Sequence, residues 1–314
     1  MLKAIFSILV FPGFLFLFIF SFVAEYVDRK LCARFQNRIG PPWFQPLADF
    51  IKLVSKEEII PLEADVTALK LVPVFALTAS IAAILYIPIG GKRAAFSFNG
   101  DIIVVLYLLT IPTIAYFLGG WYSRSVYSMI GAVRSLIQLF AYEVPLFLCI
   151  LASALLADTW SLSEMTDFYS HHLGYWFFNI LGFAIALISL LGKLEKVPFD
   201  IPEAETEIVA GAFTEYGGRL LALLRTSLNI EMVVGASLFT AVFLPFGFNL
   251  HHPAATFLLY LVEVFSIIAV ITLLRSLFAR LRLDQMINFC WKYLAPLALV
   301  QVVANLILKG ILPR

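Results

Sequence analysis

The sequence predicts an all-α, polytopic integral membrane protein with about eight transmembrane helices, and three observations carry that expectation. Of 314 residues, 61% are hydrophobic and only 14% charged, whereas a soluble domain carries about 25% charged residues. Mean hydropathy over the whole chain is +0.94, which one anchor on a soluble body cannot produce. Apolar stretches long enough to cross a hydrocarbon core of ~30 Å, which takes ~20 helical residues, recur eight times. The composition excludes a soluble enzyme and a disordered chain. The balance of 22 basic against 21 acidic residues excludes a nucleic-acid binder, for it supplies no basic footprint.

The stretches lie at about 3–24, 66–89, 101–120, 136–157, 175–192, 219–245, 255–275 and 288–309, in a single transmembrane domain over 1–314. The first begins after Lys3 like a signal peptide. It continues to Glu25 without a small-residue cleavage site, so it is a retained helix. Residues 25–65 form a long loop. After the Gly40-Pro41-Pro42 turn, Trp43, Phe44, Leu47, Phe50, Ile51 and Val54 recur at helical spacing opposite Asp49, Lys52, Ser55 and Lys56, the pattern of an amphipathic helix lying in the membrane interface. The stretch at 136–157 contains Pro145, which leaves the carbonyl of Ala141 without its helical donor and permits a kink. Arg134 and Gln138, four apart, mark a polar approach to it. In the loop 193–218, Pro198 and Pro202 end the preceding helix. A second helix is expected to start near Pro202 with acids in its first turn, where the helix dipole favours them.

Lys and Arg set the orientation. The loops after odd-numbered helices, with their edges, hold fourteen of the 22 basic residues; the opposite side holds Lys3, Lys92, Arg93, Lys309 and Arg314. Both termini are therefore expected outside a cell membrane, with loops 25–65 and 193–218 cytoplasmic. Fourteen of the 21 acids share that inside face, so the net charge of +1 conceals a dense, mixed-sign surface suited to docking partners.

Redox and metal chemistry leave no signature. Cys32, Cys149 and Cys290 are scattered, neither a disulfide framework nor a cluster site. His171–His172 and His251–His252 are adjacent pairs in polar loops, and neighbouring helical positions point apart. Acids inside spans are more informative: Glu143, Glu231 and Glu263. Each costs about 2.5–3.5 kcal/mol if left bare at mid-membrane. Either a neighbouring helix satisfies them or they form a protonatable relay, since desolvation favours the neutral carboxyl. Glu203, Glu207, Gly211 and Glu215 are spaced by four, a stripe on one helical face if the loop is helical. Glu205 lies among them. The apolar IVAGAF within the stripe argues against a freely solvated face. Gly211, Gly217 and Gly218 permit close approach of another helix or chain.

Four long segments, DRKLCARFQNRIGPPWFQPLADFIKL, GAVRSLIQLFAYEVPL, PFDIPEAETEIVAGAFTEY and RLRLDQMINFCWKYLAPL, resemble the signature regions of the membrane heel subunit shared by respiratory complex I and the energy-converting membrane-bound [NiFe] hydrogenases. The resemblance implies a subunit without a cofactor of its own, joining a redox arm to an ion-pumping arm. It places Arg29, Arg34, Gln36, Arg38, Gln45, Asp49 and Lys52 of the first loop, with Asp200, Glu203, Glu205, Glu207 and Glu215, at the face toward that arm. An acidic path would continue to Glu143. Arg280, Arg282 and Asp284 fall in the fourth signature; their basic residues also fit simple anchoring by the positive-inside rule.

Departures from the quinone-reducing pattern point to the hydrogenase branch. The first loop has a shortened GPPxxQP form, Leu194-Glu195-Lys196-Val197 replaces a TNR-containing stretch before Pro198, and Leu228 stands where complex I relatives carry a sixth-helix acid. Glu231, about one turn later, would take its place. The resemblance thus implies docking of hydrophilic hydrogenase-like large and small subunits rather than quinone binding. Antiporter-like membrane subunits would be neighbours, and iron–sulfur clusters and a [NiFe]-type centre in the partners would receive electrons from ferredoxin. A quinone-reducing dehydrogenase or a sulfur-reducing relative would use the same membrane module. A free-standing secondary transporter fits the intramembrane acids too, whereas a passive anchor leaves them unexplained.

Overall fold

The structure, a computed structural model, describes residues 2–247 and 252–311, without the side chains at 2, 173, 205 and 206. His251 and Arg314 lie outside the described residues. Among the described residues, eight segments are long and apolar enough to cross a membrane: Lys3–Phe35, Val66–Ile84, Asp101–Tyr122, Val126–Ala157, Gly174–Lys193, Gly218–Phe243, Pro253–Leu277 and Leu283–Ile311. No strand is present among the described residues. The eight expected spans are all found, with shifted ends.

The first span is two helices, α1 (Leu2–Leu9) and α2 (Phe14–Phe35). Pro12 lacks the N–H that would continue the ladder. At Gly13 a Cβ would lie 1.9 Å from the carbonyl oxygen of Ile8, so the break tolerates only glycine. α2 runs about ten residues beyond the apolar stretch and carries Glu25, Asp28 and Arg29 as helical residues. The amphipathic helix is α3 (Gln45–Val54), with Pro46 in its first turn. Phe50 packs edge-on against Phe18 and Phe22, while Leu47, Ile51 and Val54 stay exposed, as an interfacial helix requires. α4 (Val66–Ile84) starts on Asp65, whose side chain accepts from the backbone N–H groups of Thr67 and Ala68.

α5 (Asp101–Tyr122) and α6 (Val126–Ala157) follow. α6 stays helical through Pro145 and starts about ten residues before the expected span, so Arg134 and Gln138 are helical. Short α7 (Leu162–His171) is pinned to α5, because Asp101 accepts the Leu162 N–H at 2.6 Å. α8 (Ile180–Lys193) ends at the proline-rich loop. There the expected second helix is overturned. Only short pieces form, α9 (Glu205–Ile208), a single turn, and a 3₁₀ turn over Gly211–Phe213, and Val209 and Gly211 both adopt positive φ (63° and 53°). The chain folds back so tightly that a Cβ on Gly211 would lie 1.8 Å from the Pro202 carbonyl oxygen. Glu203, Glu207, Gly211 and Glu215 therefore do not form one helical stripe.

α10 (Gly218–Phe243) is the central post, with 89% of its most apolar stretch buried, against 28% for the first and last spans. Its GASLFTA run supplies the small residues that let helices approach closely where lipid offers no hydrophobic drive. α11 (Pro253–Leu277), α12 (Leu283–Phe289) and α13 (Ala295–Ile311) complete the bundle. One π-helical turn over Cys290–Leu294 joins the last two. A buried amide ladder fixes α13: Gln301 donates to the Phe178 carbonyl, and Asn305 donates to Asn179 and to the Ala152 carbonyl, at 2.8–2.9 Å.

Candidate coupling site

Helix α2, the loop 194–203, α10 and α11 converge at the end of the bundle that also carries loop 36–65, here termed the loop face. They enclose a cavity of about 350 Å³. Its wall holds carboxylates Glu25, Asp28, Glu195, Asp200 and Glu203 and cations Arg29, Lys196, Arg225 and Arg275. Such density of charge suits water and moving protons; a small-molecule site is mostly apolar with a few polar groups. A separate apolar cavity of about 370 Å³ lies against Leu191, Phe199, Leu274 and Phe289 and shares no lining residue with it.

Two ion-pair clusters hold the wall. Asp28 accepts from Lys196 at 2.7 Å, Arg275 at 3.1 Å and Thr272 at 2.6 Å, tying α2, the loop and α11 together. Around Lys196, burial pushes the ammonium toward its neutral form and the Asp28 charge opposes that. One turn back on α2, Glu25 pairs with Arg29 and accepts from Asn229 of α10 at 2.5 Å. Arg29 also bonds Asp49 of α3 at 2.9 Å, and Gln45 donates to the other Asp49 oxygen at 2.9 Å. Partial burial works to raise the Asp49 pKa, but these two hydrogen bonds outweigh it and hold the carboxyl below its usual range.

The inner wall of the cavity begins a second layer. Glu195, buried and at positive φ (50°), accepts from Ser135 of α6 at 2.8 Å. Burial, then the like charges of Glu203, Glu231 and Asp200, push its carboxyl up to about 8 against the Ser135 bond. Deeper still, Lys193 Nζ lies 2.9 Å from Glu231 Oε1, with both side chains essentially inaccessible. Lys193 also donates to the Leu109 carbonyl and sits 5.9 Å from the ring centroid of Tyr142, the neighbour of Glu143. Gln138 donates to the Gly192 carbonyl at 2.7 Å, locking α6 against the end of α8.

The family described as NADH dehydrogenase matches residues 7–306, nearly the whole chain. The chain belongs to this family. Among its relatives, an NADH-quinone oxidoreductase subunit of Carboxydothermus hydrogenoformans is 32% identical over 94% of this chain and 85% of its own length. The corresponding NADH-quinone oxidoreductase subunit of Thermus thermophilus is 32% identical over 98% of this chain and 87% of its own length. Among solved structures, a chain of the membrane-bound sulfane sulfur reductase, an archaeal respiratory membrane complex, superposes with a TM-score of 0.85 at 28% identity, covering 97% of this chain and 98% of that one. The relatives are subunits of oxidoreductase complexes, and this NADH dehydrogenase family chain is a multi-pass membrane subunit of that kind.

In this family member the residues singled out from sequence fall into three groups. Arg29, Gln45, Asp49, Asp200, Glu203 and Glu231 join the cavity or the layers around it. Glu143 is coupled electrostatically to Lys193. Arg34, Gln36, Arg38, Lys52, Arg282 and Asp284 are exposed at the loop face, Asp284 in the first turn of α12. Glu207, exposed, pairs with Arg134 at 2.6 Å, and that bond holds its carboxyl below the usual range. Arg280 donates to the Asp200 carbonyl. Glu215 is half-buried away from the cavity lining, and the side chain of Glu205 lies outside those described. Glu263 stands apart from the other two span acids, lining a separate small space with Thr166 and Tyr260. Of the three glycines, Gly211 and Gly218 receive close backbone neighbours, Pro202 and Glu57, whereas a Cβ at Gly217 meets nothing within 4 Å.

Sequence reasoning missed Glu25, Asp28, Lys193, Glu195 and Lys196 as site residues. For Glu25 and Asp28 the signal was spacing, since with Arg29 they stand at i, i+3, i+4 on one face of α2; Lys193 ends α8 and Glu195 and Lys196 lie in the loop beyond it, where no helical spacing marks them. Among the described residues, no three His, Cys, Asp or Glu side chains are grouped to hold a metal ion.

Proposed function

We propose that this chain is the coupling subunit of a ferredoxin-linked energy-converting complex of the membrane-bound hydrogenase type, in the cell membrane. Its loop face is cytoplasmic and both termini are outside. The face docks hydrophilic large and small subunits that carry iron–sulfur clusters and a [NiFe]-type centre. Electron transfer there rearranges charge in the cavity. The change passes inward through Glu195 and the Lys193–Glu231 pair to Glu143, and on to antiporter-like neighbours that move protons or sodium. The observation that carries this reading is the succession of layers: a charged cavity at the loop face with room for many waters, a buried carboxyl in its inner wall, and a buried ion pair behind that.

The reading does without quinone. Only Leu194, Val197, Leu228 and Met232 are apolar in the cavity lining, among nine charged side chains and Asn229, and the space between α2, α3 and α10 holds only about 30 Å³, roughly room for one water. The likeness to a sulfane sulfur reductase chain supports a second reading, in which the same membrane module serves a sulfur-reducing arm; the chemistry of the acceptor resides in the partners. Glu143→Gln tests the relay. Vesicles bearing the variant complex should transfer electrons at the wild-type rate but build a smaller ion gradient per electron. A normal gradient would remove Glu143 from the path, and inhibition of the complex by quinone analogues would restore the quinone reading.

A further inference from the structure

The apolar cavity of about 370 Å³ lies apart from the charged one. Its floor is Leu191 and Phe199, both buried, and its rim is Phe278, Ala279 and Gln285, all exposed, so it opens to the outside of the bundle. Among the described residues of the lining only Gln285 has a polar side chain, and its Oε1 already accepts the Arg282 N–H at 3.2 Å. An ordered water needs two to four polar partners, so the cavity suits a hydrocarbon chain. Its walls fix its depth. Leu191 and Leu274 lie in the last turns of α8 and α11, and Gln285 and Phe289 in the first two turns of the last span. The cavity therefore sits within about two turns, ~11 Å, of the loop-face ends of these spans. Exposed Trp291 and Tyr293 mark the membrane interface there.

A lipid chain gains little by leaving the bilayer for an apolar pocket, because lipid tails are as apolar as leucine; a headgroup contact has to select the occupant. The rim supplies one. Residues 278–282 are pinned by the Leu281 N–H, which donates to the Pro198 carbonyl at 3.0 Å, and by Arg280, which donates to the Asp200 carbonyl. Arg280 and Arg282 thus flank Leu281, itself part of the lining, and a guanidinium carries five donors in a fork that fits phosphate. Asp284 opposes them, and exposed Lys292 offsets it. Glu207, also within their field, is paired with Arg134. We propose that this cavity holds one hydrocarbon chain of an anionic phospholipid, whose phosphate lies against Arg280 and Arg282. The lipid fills the gap between α8, α11 and α12 and braces residues 278–282 against the Pro198–Phe199 segment.

The test places the intact complex in nanodiscs of phosphatidylcholine with a trace of one of two photoreactive lipids, phosphatidylglycerol or phosphatidylcholine, each carrying a diazirine in mid-chain. Peptide mass spectrometry reads adducts at Leu191 and Phe199, which lipids on the outer surface of the bundle do not reach. The phosphatidylglycerol probe should label them in preference. Arg280→Gln/Arg282→Gln should lower that preference about fivefold per arginine, the equivalent of about 1 kcal/mol for each basic residue near a membrane surface. If the double variant does not assemble, Arg282→Gln, which leaves the Asp200 bond in place, decides by its own fall of about fivefold. Equal labelling by the two probes, or a preference unmoved by loss of the arginines, would overturn the proposal. So would a floor without adducts because a partner subunit covers the rim. Displacement of the phosphatidylglycerol probe by a neutral quinone analogue, to the same extent in wild type and in the arginine variants, would make this a pocket for an uncharged ring and equally refute it.

Discussion

Replacing Asp28 with Asn removes one charge from the cluster that ties α2, the loop before Pro198 and α11. Asp28 is 4% exposed and receives Lys196, Arg275 and Thr272. The amide keeps the shape and can still accept from Thr272, so the loss is electrostatic: two cations are left facing each other without a counter-ion. Removing one partner of a buried pair costs about 3–5 kcal/mol. The side chain of Arg275 is 34% exposed and that of Lys196 17%, so both can recover some hydration and the low end applies, about 3 kcal/mol. For a chain of this size, at roughly 2 °C per kcal/mol, the melting temperature should fall by about 6 °C. The protein supplies its own probe: Cys32, Cys149 and Cys290 are free and buried, so a thiol-reactive fluorophore in detergent reports unfolding. Cys32 lies one turn beyond Asp28 and should label first, by mass spectrometry, if the cluster opens locally. Adding Lys196→Met should recover part of the loss by removing one stranded cation. A variant melting within about 1 °C of wild type, against the ~2 °C per kcal/mol scale, or a double variant whose losses simply add, would refute the assignment of Asp28 as hub.

Two further outcomes are expected. Glu195 has an ordinary value of 4.5 and is raised to about 8 in the fold, by burial and by Glu203, Glu231 and Asp200. Folding therefore takes up a proton, and the associated stability is full below about 4.5 and is lost as pH rises through about 8; melts followed by circular dichroism should show that decline, and Glu195→Gln should flatten it. At Gly131 of α6, an added Cβ would lie 2.5 Å from the Cα of Gly211 and 2.6 Å from the backbone nitrogen of Ala212. Gly131→Ala should cost about 1–3 kcal/mol as overpacking and, because the 202–213 turn must lift, should speed proteolytic cleavage there; unchanged cleavage would show that the helix, not the loop, gives way.

The spans were legible because the bilayer imposes a length and forbids unpaired backbone polar groups, a constraint that apolar runs record directly. The interfacial helix was legible for a similar reason: Leu47, Ile51 and Val54 must face one way and Asp49 and Lys52 another. What failed was the assumption that charge marks the end of a helix. Glu25, Asp28 and Arg29 continue α2 because each finds a partner from a distant segment, Asn229, Lys196 with Arg275, and Asp49, and no local pattern announces such pairs. The acidic ladder failed for the opposite reason. Spacing by four suggested a helix, but Gly211 sits where only a residue tolerant of positive φ lets the chain turn under Pro202. Glu231 was identified by its mid-span position alone; its partner Lys193, on another helix, had the look of an ordinary inside-edge lysine. Glu263 has the same residue type and depth as Glu143 and Glu231, yet tertiary packing sets it apart.

These placements change the meaning of the crowded mixed-sign face. Its charges divide into two populations with different physics. Arg34, Arg38, Lys52, Glu207 and Asp284 are exposed, where salt screens interactions beyond a Debye length of ~8 Å and a pair is worth under about 1 kcal/mol; they suit a reversible seat for a partner arm. Asp28, Lys193, Glu195 and Glu231 are buried, where screening is weak and a change of charge at one group is felt strongly by its neighbours. A coupling subunit needs both kinds. The outer set can hold an arm without fixing any protonation state, and the inner set can answer a charge change without loosening the arm. On the proposed function, Glu203 and Asp200, half-buried at the cavity wall between the two sets, are where an event in the arm would first act on the interior, because they are within electrostatic reach of Glu195.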